Sequence, residues 1–291
     1  MIEGKGMFIH KLKSLGDIEE EASSAFDAGM THVLIKILDG VWKYNQRSAY
    51  DASGKQIWVD DILGPAVEAF QALGIKVYGW QWVYHTTWSP AASEAVSAKD
   101  RVEKFNLDGF GIDAESSVKN KFGPAQAYAD NLKVDVPVFL STYRYPSYHR
   151  EINYKAYLSV SDFVSPQVYW AGASNSGAQL LRSVGEWSGL TDKPIIPTGA
   201  AYTEHGWTAK PDEVVQFLQT AKDNGLGGAN FWVWHHAKAL GLWDYIAQFP
   251  WPVSEVPPPP PPPDYNVSPK FGVKLDDQQG HKWQGHVDLV G

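Results

Sequence analysis

Hydrophobic and polar positions along the first 250 residues follow two alternating patterns. Short runs rich in β-branched and aromatic residues are typical of strands, and the longer amphipathic runs between them are typical of helices. The alternation predicts eight strand–helix units whose strands lie side by side in a parallel sheet. The predicted strands span residues 6–12, 31–37, 76–84, 107–115, 137–143, 162–170, 194–200 and 227–234.

Start and stop signals support the predicted helices. The run DIEEEASSAFDAG begins with Asp17, an acceptor suited to capping the first free N–H groups of a helix. The run KPDEVVQFLQTAKDNG has Pro211 in its first turn and Gly225 after its last. One more amphipathic run, over residues 237–250, closes the eighth unit.

The number of units indicates the fold class. Eight βα units in about 250 residues are the size of a TIM barrel, which we predict in preference to an open, doubly wound sheet. We therefore predict an α/β protein with a (β/α)8 TIM-barrel domain over residues 1–250.

The residues after 250 have a different composition. Residues 251–263 form a proline-rich linker, and the seven consecutive prolines at 257–263 predict a polyproline II rod of about 22 Å at roughly 3.1 Å per residue. Residues 264–291 are too few for an independent core and predict a short C-terminal element such as a β-hairpin. We expect this appendage to contact the barrel or another protein.

Charge and cysteine content exclude several classes of function. The chain has 25 basic and 33 acidic residues, a net charge of −8, and no run of Lys or Arg, which argues against a nucleic acid partner. No segment is apolar enough for membrane insertion. The absence of cysteine excludes cysteine nucleophiles and thiolate metal sites, and we expect no cofactor.

The most informative chemistry lies in the fourth predicted strand, LDGFGIDAE. TIM-barrel enzymes carry their reactive groups at the carboxyl ends of the strands. Asp113 and Glu115 are two residues apart and so point to the same side there, whereas Asp108 lies at the start of the strand. Two carboxyl groups held close together do not both ionise freely, so one can keep a proton and act as a general acid. The alternative is a solvated carboxylate pair at the start of a loop.

This strand resembles the signature of family 18 glycoside hydrolases, the chitinases and endo-N-acetylglucosaminidases, which reads Asp-Gly-x-Asp-x-Asp-x-Glu. Asp108, Gly109, Asp113 and Glu115 occupy matching positions, whereas Gly111 stands where the family has its middle Asp. The segments QVYW and GGANFWVW also resemble that family's Tyr on strand six, at Tyr169, and its Trp on strand eight, at Trp232.

The resemblance implies a mechanism in which the substrate's own N-acetyl group replaces an enzyme nucleophile. Glu115 is then the acid and base, Asp113 orients the acetamido group, Tyr169 hydrogen-bonds it, and Trp232 forms the floor under the reacting sugar. The family's middle Asp shares the proton of the next Asp, so Gly111 implies a different titration of the pair.

Further residues near the predicted strand ends are candidates for substrate binding. Aromatic rings suit stacking on sugar faces, and Arg144 suits an anionic group such as a lactyl or peptide carboxylate. The predicted substrate-binding residues are Trp232, Tyr84, Trp88, Gln167, Tyr143, Arg144, Asp39 and Glu204.

Two other enzymatic interpretations remain open. The chain also resembles family 25 lysozymes, which use an Asp-x-Glu at a strand end, although their first strand carries an Asp where this chain has His10 and Lys11. A retaining glycosidase of the cellulase-like clan would pair Glu115 with Glu204, but that clan has Asn where this chain has Ala114.

Metal and phosphate sites have weaker support. His235 and His236 would end strand eight facing opposite sides, and no ligand spacing is recognisable, so we predict no metal site. The run NGLGGAN precedes a strand and so does not predict a phosphate loop.

We therefore expect a glycosidase that cleaves β-linked polymers containing N-acetylglucosamine or N-acetylmuramic acid, with peptidoglycan preferred over chitin. The alternative is a catalytically inactive glycan-binding or structural barrel. The first residues lack a secretory signal. A barrel, a linker and a short C-terminal element look like a bacteriophage lysin, which reaches the extracellular cell wall through lysis or on a virion; this is fold-level analogy.

Overall fold

Eight parallel strands pair side by side and close into a barrel in the computed structural model, which describes residues 2–60, 62–251, 273–276 and 282–285. Each strand pairs with the next along the chain, and the last pairs with the first, which confirms the predicted (β/α)8 barrel. The barrel strands are β1 (Gly4–Ile9), β2 (Met30–Asp39), β3 (Lys76–Trp82), β4 (Gly109–Asp113), β5 (Val138–Tyr143), β6 (Phe163–Val168), β7 (Thr198–Ala200) and β8 (Gly228–Trp232).

Helices connect the strands on the outside of the barrel. Asp17 caps the first of them, as predicted, since its Oδ1 accepts hydrogen bonds of 3.1 Å from the backbone N–H groups of Glu19 and Glu20. The helices are α1 (Ile18–Asp27), α2 (Leu63–Ala72), α3 (Ala91–Lys104), α4 (Phe122–Asn131), α5 (Tyr154–Val160), α6 (Ser176–Ser188), α7 (Pro211–Asp223), α8 (Trp234–Ala239) and α9 (Trp243–Gln248).

The region after β8 differs from the prediction. The predicted single helix over residues 237–250 is instead two short helices, because Gly241 has a φ of 66° and ends the first. His235 and His236 lie in α8 and not at the end of a strand, so the predicted placement of the two side chains on opposite strand faces is wrong.

The loop between β2 and α2 carries strands that the hydrophobic pattern did not predict. Trp42–Lys43 pairs antiparallel with the end of β2. Arg47–Tyr50 and Gln56–Val59 then form a two-stranded hairpin of mostly exposed residues. Because these strands are short and lack a buried face, they have no alternating pattern to reveal them.

Aromatic rings fill the barrel interior. A cluster of buried side chains from the strands and the segments just before them packs there, separate from the larger apolar layer between barrel and helices. Phe139 and Phe163 stack with ring centroids 5.4 Å apart. The buried members of the interior cluster are Ile2, Phe8, Leu34, Tyr78, Trp80, Phe139, Phe163 and Ile196.

The chain divides into two units, residues 1–257 and 258–291. In the second unit, Val273–Asp276 and Lys282–Gly285 pair antiparallel. The predicted polyproline rod lies outside the described residues, whereas Trp251 at the start of the predicted linker is buried. Within the described part of the chain, no helix is long and apolar enough to cross a membrane.

Candidate active site

A cavity of about 470 Å³ opens at the carboxyl ends of the barrel strands. It includes the last residues of several strands and the loop that follows β5. The lining residues are Phe8, His10, Trp80, Trp82, Asp113, Glu115, Ser141, Tyr143, Arg144, Tyr145, Tyr148, His149, Gln167, Tyr169 and Trp232.

Asp113 and Glu115 lie together in this cavity and share one hydrogen-bond donor. The side-chain amide nitrogen of Gln167 is 2.9 Å from Asp113 Oδ1 and 2.8 Å from Glu115 Oε1. The same nitrogen is 3.2 Å from the Ser141 hydroxyl. Gln167 was predicted to bind substrate; in this structure its amide bridges the two carboxyl groups and sets their relative position.

Burial raises the pKa of Asp113 well above its usual range. The negative charge of Glu115 raises it further, as does a hydrogen bond between the two carboxyl groups. The positive charge of Lys36 and a hydrogen bond with Ser141 oppose these effects and lower it. Asp113 therefore keeps a proton to higher pH than an ordinary aspartic acid.

The space behind Asp113 is occupied by an aromatic ring. Gly111 precedes Asp113 by two residues on the inner face of β4. A Cβ atom added at Gly111 would lie 2.1 Å from Phe139 Cζ, so no side chain fits there while the ring keeps its place. The position that carries an acid in the resembling signature is therefore apolar in this barrel.

Two tyrosines face the carboxyl pair. Loss of hydration raises the pKa of the Tyr169 hydroxyl well above its usual value, and Glu115 and Asp113 raise it further. Burial also raises the pKa of Tyr143, whose ring stacks on His149 with centroids 3.6 Å apart. Both hydroxyl groups remain protonated near neutral pH and are available as hydrogen-bond donors.

Arg144, which lines the cavity, also makes a structural contact. Its guanidinium donates a hydrogen bond to the backbone carbonyl of Tyr169 and lies 4.9 Å from the Tyr145 ring centroid. Arg144 thereby connects the end of β5 to the residues after β6, and it also lines the cavity, where the sequence predicted an anion contact.

Indole and imidazole rings form the other side of the cavity. Trp232, the last residue of β8, lies 5.7 Å from both Trp80 and His10 between ring centroids. Burial lowers the pKa of His10 to about 4, with the charge of Lys36 as the next cause, so His10 is neutral at physiological pH. The ring wall is therefore uncharged and suits an apolar sugar face.

Lys36 is a functional candidate that the sequence reasoning missed. Its buried ammonium group lies 3.0 Å from Asp39 Oδ1 and 4.4 Å from the Tyr44 ring centroid. It also lies 5.2 Å and 5.4 Å from the ring centroids of Trp80 and Trp82, which line the cavity. A lysine inside the apolar run of β2, THVLIKILD, was the available signal.

Three predicted substrate-binding residues lie beside the cavity without lining it. The Tyr84 hydroxyl donates to Asp39 Oδ1 over 3.2 Å, so these two side chains bind each other. The Tyr84 ring is parallel to Trp82 at 6.2 Å and contacts Trp88 at 4.8 Å. Together these rings extend the aromatic surface away from the cavity.

Glu204 lies outside the cavity that contains Asp113 and Glu115. It lies on an exposed hairpin formed by Thr203–Glu204 and Trp207–Thr208, and its side-chain neighbour is His205 at 3.7 Å. It does not line the cavity with Glu115. The arrangement gives no support to a nucleophilic role for Glu204. Within the described ranges, no three His, Asp or Glu side chains are grouped to hold a metal ion.

Comparison with known proteins places the barrel among glycosidase-like folds. No protein-family model matches the chain, and no curated protein matches its sequence. A GH18 chitinase from Pseudoalteromonas aurantia is similar with a TM-score of 0.55 and 15% identity, over 82% of this chain and 99% of that one.

Two further similar structures belong to proteins with functions that differ from each other. The Bacillus cereus spore cortex-lytic enzyme SleL is similar with a TM-score of 0.55 and 10% identity, over 84% of this chain and 73% of that one. The xylanase and α-amylase inhibitor protein XAIP-II from Scadoxus multiflorus is similar with a TM-score of 0.57 and 14% identity, over 84% of this chain and 98% of that one. The chain thus has the barrel fold that GH18 chitinases share with these proteins.

Proposed function

We propose that this protein is a glycoside hydrolase that cleaves β-linked polymers of N-acetyl amino sugars. The observation that carries the proposal is the Asp113–Glu115 pair, joined by Gln167 in a cavity at the carboxyl end of the barrel. Aromatic rings form one wall of that cavity and tyrosine hydroxyls face the pair. Acid, hydrogen-bond donors and stacking surface are the groups that such a reaction requires.

The proposed first step is proton transfer from Glu115 to the glycosidic oxygen. The acetamido oxygen of the substrate bonds to the anomeric carbon as the bond to the leaving sugar breaks. The leaving sugar takes the proton, and the Glu115 carboxylate then accepts a proton from the water that opens the cyclic intermediate. Glu115 is thereby protonated again, and each product sugar carries a free hydroxyl group.

Asp113 and Tyr169 are proposed to hold the acetamido group during this step. The ionised Asp113 would accept a hydrogen bond from the acetamido N–H, and the Tyr169 hydroxyl would donate to the acetamido oxygen. The raised pKa of Asp113 favours its protonated form before substrate binds. That proton can pass to Glu115 through their hydrogen bond when Asp113 turns to the substrate.

Peptidoglycan is the preferred substrate in this proposal. Arg144 provides a cation in the cavity lining, which suits the carboxylates of muramic acid and its peptide better than neutral chitin. The similar SleL is a spore cortex-lytic enzyme. We further propose that the protein acts on extracellular cell wall.

A non-catalytic glycan-binding barrel is the second candidate. The similar XAIP-II is an inhibitor protein with the same fold. Phe139 occupies the place behind Asp113 where the resembling signature has an acid, so the proton of Asp113 lacks that partner. Such a barrel would bind glycans through its aromatic wall without cleaving them.

Incubation with purified peptidoglycan and with chitin oligosaccharides separates the two functions. New reducing ends with the parent protein and none with Glu115→Gln support hydrolysis. Binding to either glycan without new reducing ends favours the second candidate. Mass spectrometry of the fragments then identifies the cleaved bond, because the sugar at the new reducing end is either N-acetylglucosamine or N-acetylmuramic acid.

A further inference from the structure

A second groove, of about 570 Å³, lies beside the candidate active site. It is formed by the turn after β1 and by the short strands between β2 and α2. Its lining combines three lysines with three aromatic rings, namely Lys11, Lys13, Lys43, Trp42, Tyr44 and Trp58.

The lysines make this groove positive in a protein whose net charge is −8. Lys11, Lys13 and Lys43 are exposed, and no acidic side chain among the described residues forms an ion pair with them. Two described acids near the groove already have cationic partners: Asp39 pairs with Lys36, and Asp60 pairs with Arg101 and Lys104. Among the residues that the structure describes, the three ammonium groups therefore have no acidic partner and can meet an anion.

The tryptophans offer flat apolar surface next to these charges. Trp42 is 49% exposed and Trp58 is 64% exposed. Backbone pairing holds both in short strands, Trp42 opposite Asp39 and Trp58 opposite Ser48. Trp42 also stacks on Trp88 at 5.1 Å, which continues the aromatic surface that starts at Trp82 and Tyr84. Exposed indoles held in place suit stacking on sugar rings.

Tyr44 connects the groove to the candidate active site. Its ring stacks on His10 with centroids 5.3 Å apart and planes at 10°, and its hydroxyl lies 3.1 Å from His10 Nε2. His10 lines the cavity that holds Asp113 and Glu115. One polymer chain could therefore contact both places.

Asn45 fixes this junction. Its amide nitrogen donates to the carbonyls of His10, over 3.2 Å, and Lys36, over 2.7 Å. Its oxygen accepts from the backbone N–H of Leu12 over 2.8 Å. Asn45 lies in the loop that also contains Trp42. Its hydrogen bonds therefore hold this loop against β2 and against the turn that contains Lys11 and Lys13.

We propose that this groove binds an acidic saccharide, namely the carboxylate-bearing sugars of the polymer whose cleavage is proposed above. The inference rests on that proposed function for the identity of the polymer. The lysines would meet lactyl or peptide carboxylates while Trp42 and Trp58 contact the sugar faces. The groove thereby selects a carboxylated amino-sugar chain over neutral chitin of equal length.

Calorimetric titration of a non-hydrolysing variant tests whether the groove prefers carboxylated sugars. In a Glu115→Gln background, we expect an N-acetylglucosamine–N-acetylmuramic acid tetrasaccharide to bind roughly tenfold more tightly than chitin tetrasaccharide, with more salt dependence. Replacing Lys11, Lys13 and Lys43 by Gln should remove most of this preference and of its salt dependence, and Arg144 in the cavity accounts for the remainder. Affinity for chitin tetrasaccharide should stay within about twofold, because the cavity is unchanged.

A matched triple variant controls for net charge. Lys76, Lys133 and Lys155 are exposed and lie outside the groove lining, so their replacement by Gln should leave the preference intact. Trp58→Ala should weaken binding of the carboxylated tetrasaccharide several-fold. Thermal unfolding of each variant verifies that the fold persists.

The possible failures are distinguishable. The variant without Lys11, Lys13 and Lys43 overturns the groove inference if it keeps the full preference for the carboxylated tetrasaccharide. The same holds if the variant without Lys76, Lys133 and Lys155 loses that preference equally. Binding at the cavity stands in both cases. If the Glu115→Gln protein with all its lysines intact binds both tetrasaccharides equally, the groove inference is again overturned. If the parent neither binds nor cleaves either glycan, both proposals are overturned together.

Discussion

Glu94 and Asp113 are both buried acidic side chains near the carboxyl ends of the barrel strands, and their surroundings are opposite in kind. Glu94 of α3 is completely buried and accepts hydrogen bonds from the Tyr84 backbone at 2.9 Å, from the Ser89 hydroxyl at 2.5 Å and from His85 Nδ1 at 2.6 Å. Asp113 is also buried but faces a second carboxyl group, that of Glu115, and the shared amide of Gln167.

The difference separates an acid whose contacts are structural from an acid whose surroundings suit chemistry. The partners of Glu94 satisfy both its oxygens, and His85 itself continues to the Tyr157 hydroxyl at 2.8 Å. None of these groups lines the cavity. Asp113 has fewer donors, an acidic neighbour and access to the cavity. Burial of a carboxyl group therefore does not mark a site; a close second acid beside open space does.

Glu115→Gln should give the largest effect on activity. A general acid contributes about 10²- to 10⁴-fold to rate, so hydrolysis of peptidoglycan should fall by that factor. The melting temperature should change little, because Glu115 lies partly exposed in the cavity. Reducing-end assays on both variants measure this, with Glu204→Gln as the control of near-normal turnover. Full activity in Glu115→Gln would refute the assignment of the acid.

Glu94→Ala should instead destabilise the fold. Removing the buried carboxyl group leaves the His85 ring, the Ser89 hydroxyl and the Tyr84 backbone N–H without their acceptor, and each buried donor left unsatisfied costs about 1–3 kcal/mol. Denaturant titration measures the free energy of unfolding. Glu103→Ala on the same helix is the control, since its pair with Lys99 is exposed to solvent and should contribute little to the free energy of unfolding. Equal losses of unfolding free energy in Glu94→Ala and Glu103→Ala would contradict a structural role for the buried Glu94.

Gly111→Ala tests the filled space behind Asp113. The new methyl group would displace the Phe139 ring, so the free energy of unfolding should fall by about 1–3 kcal/mol. Gly123→Ala in α4 is the matched control, because nothing lies within 4 Å of its added Cβ atom. That variant should be neutral or slightly stabilised. A Gly111→Ala protein as stable as the parent would mean that the ring moves freely.

Asp113→Asn should have the smallest effect on the free energy of unfolding, and one that depends on pH. The pKa of Asp113 is raised in the folded protein, whereas an unfolded aspartic acid titrates near about 3.9. As pH rises above that value, the unfolded chain releases a proton that the folded protein keeps, so the free energy of unfolding falls.

The Asn variant lacks this loss and should gain stability relative to the parent between acidic and neutral pH. Unfolding free energies of both proteins across this pH range measure the gain. A constant difference at every pH would show that Asp113 titrates normally.

Much of the candidate site was predictable from strand alternation. Asp113 and Glu115 share a side because they are two apart at a strand end. Tyr169 and Trp232 were predicted from the resemblance to the family 18 signature, and both line the cavity. Whether these residues catalyse a reaction stays a prediction. The groove was not predictable, because its short exposed strands leave no periodic signal.

The sequence by itself determined the eight strand–helix units, because side-chain period and helix-capping residues are local properties. It also indicated that Asp113, at the end of β4, and Glu115, two residues later, lie on the same side. Only barrel closure decided that Lys36 lies near Asp113, that Phe139 fills the space beside Gly111, and that Glu204 stays outside the cavity. Those relations join residues far apart in the chain, and they exist only once the strands have packed around one another.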